Sequence, residues 1–187
     1  MEMPTLIVMI VNKMEKTKLA LLGVGDVAQR DYLPEFHRLA DRAEIVAACG
    51  LREERVKKVV EQYGIPTWYT DYREMLSKTD AEAIINLTPI QIHYETTLAS
   101  LESGKHVYSE KPMAINLKDG KNLIKIANKK KLYIGNAPDT FLGGGNQKSK
   151  ELLEKKLIGK INLGNAIFAF PGVQSYHPNP EPWFEKN

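Results

Sequence analysis

Short runs of consecutive apolar residues alternate along this chain with longer stretches whose apolar positions recur at helical spacing. Lys18-Leu19-Ala20-Leu21-Leu22 reads as a buried strand, and Glu44–Cys49 (EIVAAC) as a second. Thr67–Tyr69, Ala83–Leu87, His106–Tyr108 and Leu132–Ile134 read as four more short strands. Helical patterns lie between them. Asp26–Ala40 is expected to be a helix that Pro34 breaks or kinks. Arg52–Tyr63 carries Val56, Val59, Val60 and Tyr63 along one helical stripe, with Gly64 to cap it and Pro66 to stop it. Asp71 is placed to N-cap a short helix ending near Ser77. Gln91–Ser103 puts Tyr94, Leu98 and Leu101 on one face, and Leu117–Lys131 turns Leu117, Leu123, Ile124 and Ala127 inward.

Alternation of strand and helix, with strands that are apolar throughout, predicts an α/β fold: a parallel sheet covered on both faces. Right-handed crossovers make it doubly wound. That unit is expected to span residues 18–136. Residues 1–17 read as an N-terminal extension, with an extra strand at Leu6–Val11 as the alternative. Residues 137–187 read as the incomplete start of a second α/β domain, with a helix over about Gln147–Leu157 and a strand over Ile161–Phe170.

Composition narrows the function classes. The 187 residues are somewhat more than one domain; 43% hydrophobic and 26% charged residues describe a soluble globular chain, not a disordered or fibrous one. The net charge of +3 is too small to indicate nucleic acid unless it is concentrated. The lysine clusters Lys57-Lys58, Lys129-Lys130-Lys131 and Lys155-Lys156 fall on separate helices, with Glu54 and Glu151 spaced to pair with Lys58 and Lys155, so they read as solvated faces. The run Leu6–Val11 is far short of the ~20 apolar residues of a membrane span. It also lacks the basic leader and cleavage site of a secretory signal. Cys49 is the single cysteine, which excludes an internal disulfide, fits a reducing compartment such as the cytoplasm, and reads as inert packing. No His and acidic residues show metal-ligand spacing. His106 reads as core and His37 as surface, while His177 is a weak candidate for substrate contact.

The first strand runs into Gly23-Val24-Gly25-Asp26-Val27-Ala28, a G-x-G-x-x-A turn that opens a helix. Gly23 would permit the tight turn, Gly25 would let backbone approach a pyrophosphate, and Ala28 would allow close helix–strand packing. The anion would sit on the free N–H groups of the helix N-terminus. A plain glycine turn is the alternative reading. An acid at the tip of the second strand would bind the ribose 2′-hydroxyl of NAD. Gly50 and Leu51 stand there instead, followed by Arg52 and Arg55, which favours a 2′-phosphate and hence NADP over NAD. The alternative is that Arg52 is simply solvated. Thr88 and Pro89, beyond the fourth strand, would border the cofactor, with His93 near its edge or else packing the helix. The fifth strand ends in Glu110-Lys111-Pro112, a more specific signal than the glycines.

On GVGDVA (Gly23–Ala28), TPIQIH (Thr88–His93), GKHVYSEKPMA (Gly104–Ala114) and APDTFLGGG (Ala137–Gly145), the chain resembles the Gfo/Idh/MocA family of NAD(P)-dependent oxidoreductases. The resemblance implies a Rossmann domain followed by an α/β domain with an open antiparallel sheet. It implies that Lys111 faces substrate and nicotinamide and helps deprotonate a reacting hydroxyl, that Pro112 follows a cis bond, and that Glu110 orients Lys111 or faces solvent. It implies a sugar, cyclitol or polyol substrate and possible homo-oligomers. The family's catalytic histidine belongs to a later motif of the second domain. The expectation is therefore a truncated oxidoreductase or its cofactor half, with a non-catalytic dinucleotide-binding module as the alternative. Ile161, Leu163, Ile167, Phe168 and Phe170 would lack a complete partner layer.

Overall fold

The computed structural model describes residues 16–138, 140–169 and 171–172. The run Leu6–Val11, the tip Phe170 and the candidate His177 lie outside the described residues. The chain divides into two units, Met1–Asp139 and Thr140–Asn187.

The first unit holds strands β1 (Thr17–Leu22), β2 (Ala43–Cys49), β3 (Thr67–Tyr69), β4 (Ala83–Asn86), β5 (His106–Ser109) and β6 (Ile134–Asn136). Its helices are α1 (Glu53–Tyr63), α2 (Tyr72–Lys78), α3 (His93–Glu102) and α4 (Leu117–Lys130). The strands form one sheet in the order β3-β2-β1-β4-β5-β6, and every neighbouring pair is parallel. This is the doubly wound order expected of a Rossmann sheet. The chain reverses direction across the sheet at β1, so β1 and β4 flank a crevice beyond their carboxyl ends.

Period-2 alternation explains why the strands read as unbroken apolar runs. Leu21 and Ala48 point into one layer, with Val56, Val59 and Val60 of α1 and Leu87. Their neighbours Ala20, Leu22, Ala47 and Cys49 point into the other, with Met75, Leu76 and Ile84. A third cluster joins Leu101, Val107, Leu123 and Ala127. The caps match the local chemistry. Gly64 ends α1 in the left-handed region at φ 65°, the Asp71 carboxylate accepts from Arg73 N at 2.8 Å, and the Asn116 side chain accepts from Asp119 N at 2.9 Å.

The helix expected over Asp26–Ala40 breaks at Pro34, as expected, and three other readings in this unit are corrected. After Val27 the backbone opens into a π-turn, Ala28–Tyr32, closed by Leu33 N donating to Ala28 O at 2.8 Å. Pro34 comes next, and beyond it there is only a 3-10 turn, Phe36–Leu39. In α4, Leu117 is 73% and Ile124 is 45% exposed. Leu123, Ala127 and the partly buried Ile126 make the inward stripe instead. The sixth strand starts at Ile134 rather than Leu132. Lys131 turns into the left-handed region at φ 57°, Leu132 packs on the third cluster, and Tyr133 points outward against the His106 ring. The pair expected between Glu54 and Lys58 is replaced by Glu53–Lys57 at 2.6 Å, with Lys57 also over the Trp68 ring.

The second unit contains a 3-10 turn, Thr140–Leu142, and α5 (Gly144–Glu154). The helix starts earlier than expected because Gly143 takes the extended N-cap conformation. The Asn146 and Gln147 amides donate to the Thr140 and Phe141 carbonyls, each at 2.7 Å. The pair Glu151–Lys155 forms as expected at 2.5 Å. Residues 161–169 form no strand. A strand needs a partner ladder for its N–H and C=O groups, and no residue of 161–169 is paired in a sheet.

Candidate functional site

The glycine turn after β1 is fixed by backbone. Gly23 has φ +105°, its N–H donates to Cys49 O at 2.9 Å, and an added Cβ would lie 2.6 Å from Leu87 O. Only glycine fits a turn this close to the end of β4. Gly25 is different: an added Cβ would meet nothing within 4 Å. Val24 and Ala28 are buried against the sheet, Val27 is half-buried, and Asp26 is exposed. The Gln29 amide donates to Val24 O at 2.9 Å, which pins the turn.

At the tip of β2, Gly50 N donates to Tyr69 O at 3.0 Å, and an added Cβ would press on Val24 Cγ2 at 2.7 Å. Arg52 is the exposed N-cap of α1. Arg55, one turn on, donates from Nη2 to Asp26 Oδ1 at 2.5 Å. The two residues singled out from different motifs thus form one ion pair between the glycine turn and α1.

Beyond β4 a buried polar network takes over from the apolar core. Asn86 Nδ2 donates to Thr96 Oγ1 at 2.8 Å and Thr97 Oγ1 at 3.0 Å; Asn86 Oδ1 accepts from Thr88 Oγ1 at 2.7 Å and Thr88 N at 3.2 Å. Ser100 donates to Thr96 O at 2.7 Å. Every buried side-chain polar atom among the described residues has a partner. Pro89 is exposed at the start of a 3-10 turn, Ile90–Ile92. His93 is not at the open edge: it is buried, with both ring nitrogens against backbone carbonyls.

The loop after β5 is held by its own glutamate. Glu110 Oε1 accepts from the Tyr32 hydroxyl at 2.9 Å, and Oε2 accepts from Lys111 N at 3.0 Å. Burial and the neighbouring Glu110 carboxylate push the Tyr32 phenol above its ordinary range, so it stays a donor. Asn136 Nδ2 donates to Ser109 O and Glu110 O, each at 2.9 Å. Glu110 is half-buried, and with both carboxylate oxygens engaged it shapes the Lys111 loop. Lys111 and Pro112 are exposed, and the bond between them is cis, as expected. Among the described residues no group of three His, Cys, Asp or Glu is arranged to hold a metal ion, and no helix is long and apolar enough to cross a membrane.

Tyr32, Asn86 and Asn136 were not singled out as site residues by the sequence. Asn86 and Asn136 left a trace, a polar residue closing an apolar strand. Tyr32 left none, because its partner is 78 residues away.

The profile of the oxidoreductase family with the NAD-binding Rossmann fold, Gfo/Idh/MocA, matches residues 17–137. The chain is 25% identical over 146 residues to a myo-inositol 2-dehydrogenase of Thermotoga maritima, covering 78% of this chain and 43% of that protein. It is 30% identical over 112 residues to a D-glucoside 3-dehydrogenase of Escherichia coli, covering 60% and 32%. The WlbA dehydrogenase of Chromobacterium violaceum, solved with NADH and UDP-GlcNAcA, superimposes with a TM-score of 0.73 at 31% identity, covering 78% and 42%. The chain thus spans less than half the length of each of these proteins.

Proposed function

Because the chain belongs to the Gfo/Idh/MocA oxidoreductase family with the NAD-binding Rossmann fold, we propose that it is the cofactor-binding half of an NAD(P)-dependent oxidoreductase. The substrate class is a sugar, cyclitol or related polyol, oxidised or reduced at a hydroxyl-bearing carbon. The observation that carries this reading is the convergence beyond the carboxyl ends of β1, β4 and β5. Gly23 touches the end of β4, Tyr32 holds Glu110, and His93 lies between Thr88 and Pro112. The glycine turn, the Thr88-Pro89 turn and the Lys111 loop are thereby tied together. The names of the relatives supply the substrate class.

A bound nicotinamide would supply or take up the hydride. The chain's own residues would do the rest. N–H groups of the Gly25–Ala28 turn would bind the pyrophosphate, with Gly25 leaving room for it. Thr88 and Pro89 would border the nicotinamide side. Lys111 would hydrogen-bond the substrate hydroxyl and help move its proton, and Glu110 would hold the lysine's backbone in place.

NADP is the cofactor we favour. Gly50 at the tip of β2 offers no carboxylate to repel a 2′-phosphate, and Arg52 and Arg55 stand beside it. Arg55 is already drawn towards the turn by Asp26. A cytoplasmic location and self-association extend the same reading, supported by the buried free thiol of Cys49 and by exposed apolar side chains such as Phe141 and Leu157. Fluorescence titration with NADPH and NADH tests the core of it. NADPH should bind about tenfold more tightly, equivalent to about 1.4 kcal/mol, and Arg52→Ala with Arg55→Ala should remove the difference. Binding of neither dinucleotide would overturn the reading.

A further inference from the structure

His93 opens α3 and is 2% exposed. Its Nδ1 lies 2.7 Å from the Pro112 carbonyl oxygen and its Nε2 lies 2.6 Å from the Thr88 carbonyl oxygen. The two carbonyls belong to different connections, one leaving β4 and the other leaving β5. The ring is rigid and its two nitrogens flank Cε1 with diverging bonding directions, so it sets the distance between the two carbonyls. A neutral imidazole donates one N–H and secures one carbonyl; the imidazolium secures both. The ring itself is held from behind. Thr96 Oγ1 donates to Ile92 O at 2.7 Å and lies 3.3 Å from His93 O, and it also accepts from Asn86. The position of the ring is therefore tied to the end of β4 through the buried network.

Each carbonyl that faces the ring sits next to a residue of the proposed site. Thr88 directly precedes Pro89, and Pro112 directly follows Lys111. We infer that His93 is a positioning residue: it touches neither cofactor nor substrate, and it fixes the spacing between the turn that borders the dinucleotide and the loop that carries Lys111. This rests on the cofactor-binding reading above for its consequence, but the clamp itself does not.

Two variants and two readouts test it. His93→Phe keeps the ring volume and removes both nitrogens. His93→Gln keeps an N–H donor that reaches one carbonyl. Hydrogen–deuterium exchange of the full chain without cofactor reads the clamp directly. In His93→Phe, amides of residues 88–93 and 110–114 should exchange faster together, while those of β1 and β2 stay as in the unaltered chain. Dissociation constants for NADPH and NADH read the consequence. They should rise about tenfold in His93→Phe, equivalent to about 1.4 kcal/mol, with a smaller rise in His93→Gln. Unchanged exchange in both segments overturns the inference, as does unchanged affinity in a variant whose segments exchange faster. Loss of cooperative melting in both variants also overturns it, because His93 would then be a core residue and not a positioning one. If only His93→Phe fails to melt cooperatively, exchange in His93→Gln decides by the same criterion. If the unaltered chain binds neither dinucleotide, the functional reading fails, and the exchange experiment still judges the clamp.

Discussion

Cys49 closes β2 directly before Gly50 and is 4% exposed. Burial pushes the thiol from an ordinary 9.0 up to about 12, with the carboxylates of Asp71 and Glu74 adding to the shift. The thiolate is the reactive species, so native chain should alkylate slowly near neutral pH and unfolded chain at the rate of a simple thiol. Stability is linked to the same shift. Between about 9 and about 12 the folded chain keeps a proton that the unfolded chain releases, so stability falls as pH rises through that window. Urea midpoints measured across the lower half of the window should decline less steeply in Cys49→Ala. An unchanged slope would assign the decline to Tyr32 and Tyr72, whose phenols burial also pushes up. At this scale the sequence was informative wherever a residue's role is set by its neighbours in the chain. Gly23, Gly64 and Asp71 stand where local turn chemistry requires them. Glu110 was half legible: its bond to Lys111 N is local, but its bond to Tyr32 is not.

Among the elements, the junction of β4 and α3 departs most from an apolar core. Asn86 is fully buried and makes four hydrogen bonds, two to α3 hydroxyls and two to Thr88. Asn86→Leu preserves the volume and leaves those partners without their asparagine. Stranding several buried polar groups should cost about 2–4 kcal/mol, read from urea unfolding monitored by circular dichroism. A loss below about 1 kcal/mol would mean that water replaces the amide. The same junction shows why element patterns were only partly readable. Strands buried on both faces announce themselves, and β1 to β5 fall within a residue of their expected bounds. Helix faces do not. In α4 two apolar stripes compete, Leu117 with Ile124 and Leu123 with Ile126 and Ala127, and packing on Leu101 and Val107 selects the second. In α3 the inward face is Thr96, Thr97 and Ser100 beside Leu101, which hydrophobic periodicity alone passes over.

Taken as a whole, the molecule concentrates its buried apolar side chains in one unit. All three core clusters lie before Thr140, and no described residue of Thr140–Asn187 is buried. Leu157, Ile158, Ile161, Leu163, Ile167 and Phe168 are all exposed. Hydrophobic burial is the dominant favourable contribution to folding, and a helix of α5's length is marginal in water by itself. Stability should therefore reside in the dinucleotide-binding unit, which we propose folds independently of the Thr140–Asn187 unit. Limited trypsin digestion is expected to cut first at Lys155, Lys156 or Lys160, on the exposed turn after α5. The large fragment should keep cooperative melting with a midpoint close to that of the uncut chain. Cofactor at 100 times its dissociation constant should stabilise fragment and uncut chain alike, by about 2.7 kcal/mol. A fragment that melts without cooperativity would show that residues after the cut complete the core. A fragment that melts normally but no longer responds to cofactor would move part of the dinucleotide site beyond the cut. Equal responses would locate cofactor recognition before the cut, in the stretch that carries the glycine turn, the Thr88-Pro89 turn and the Lys111 loop.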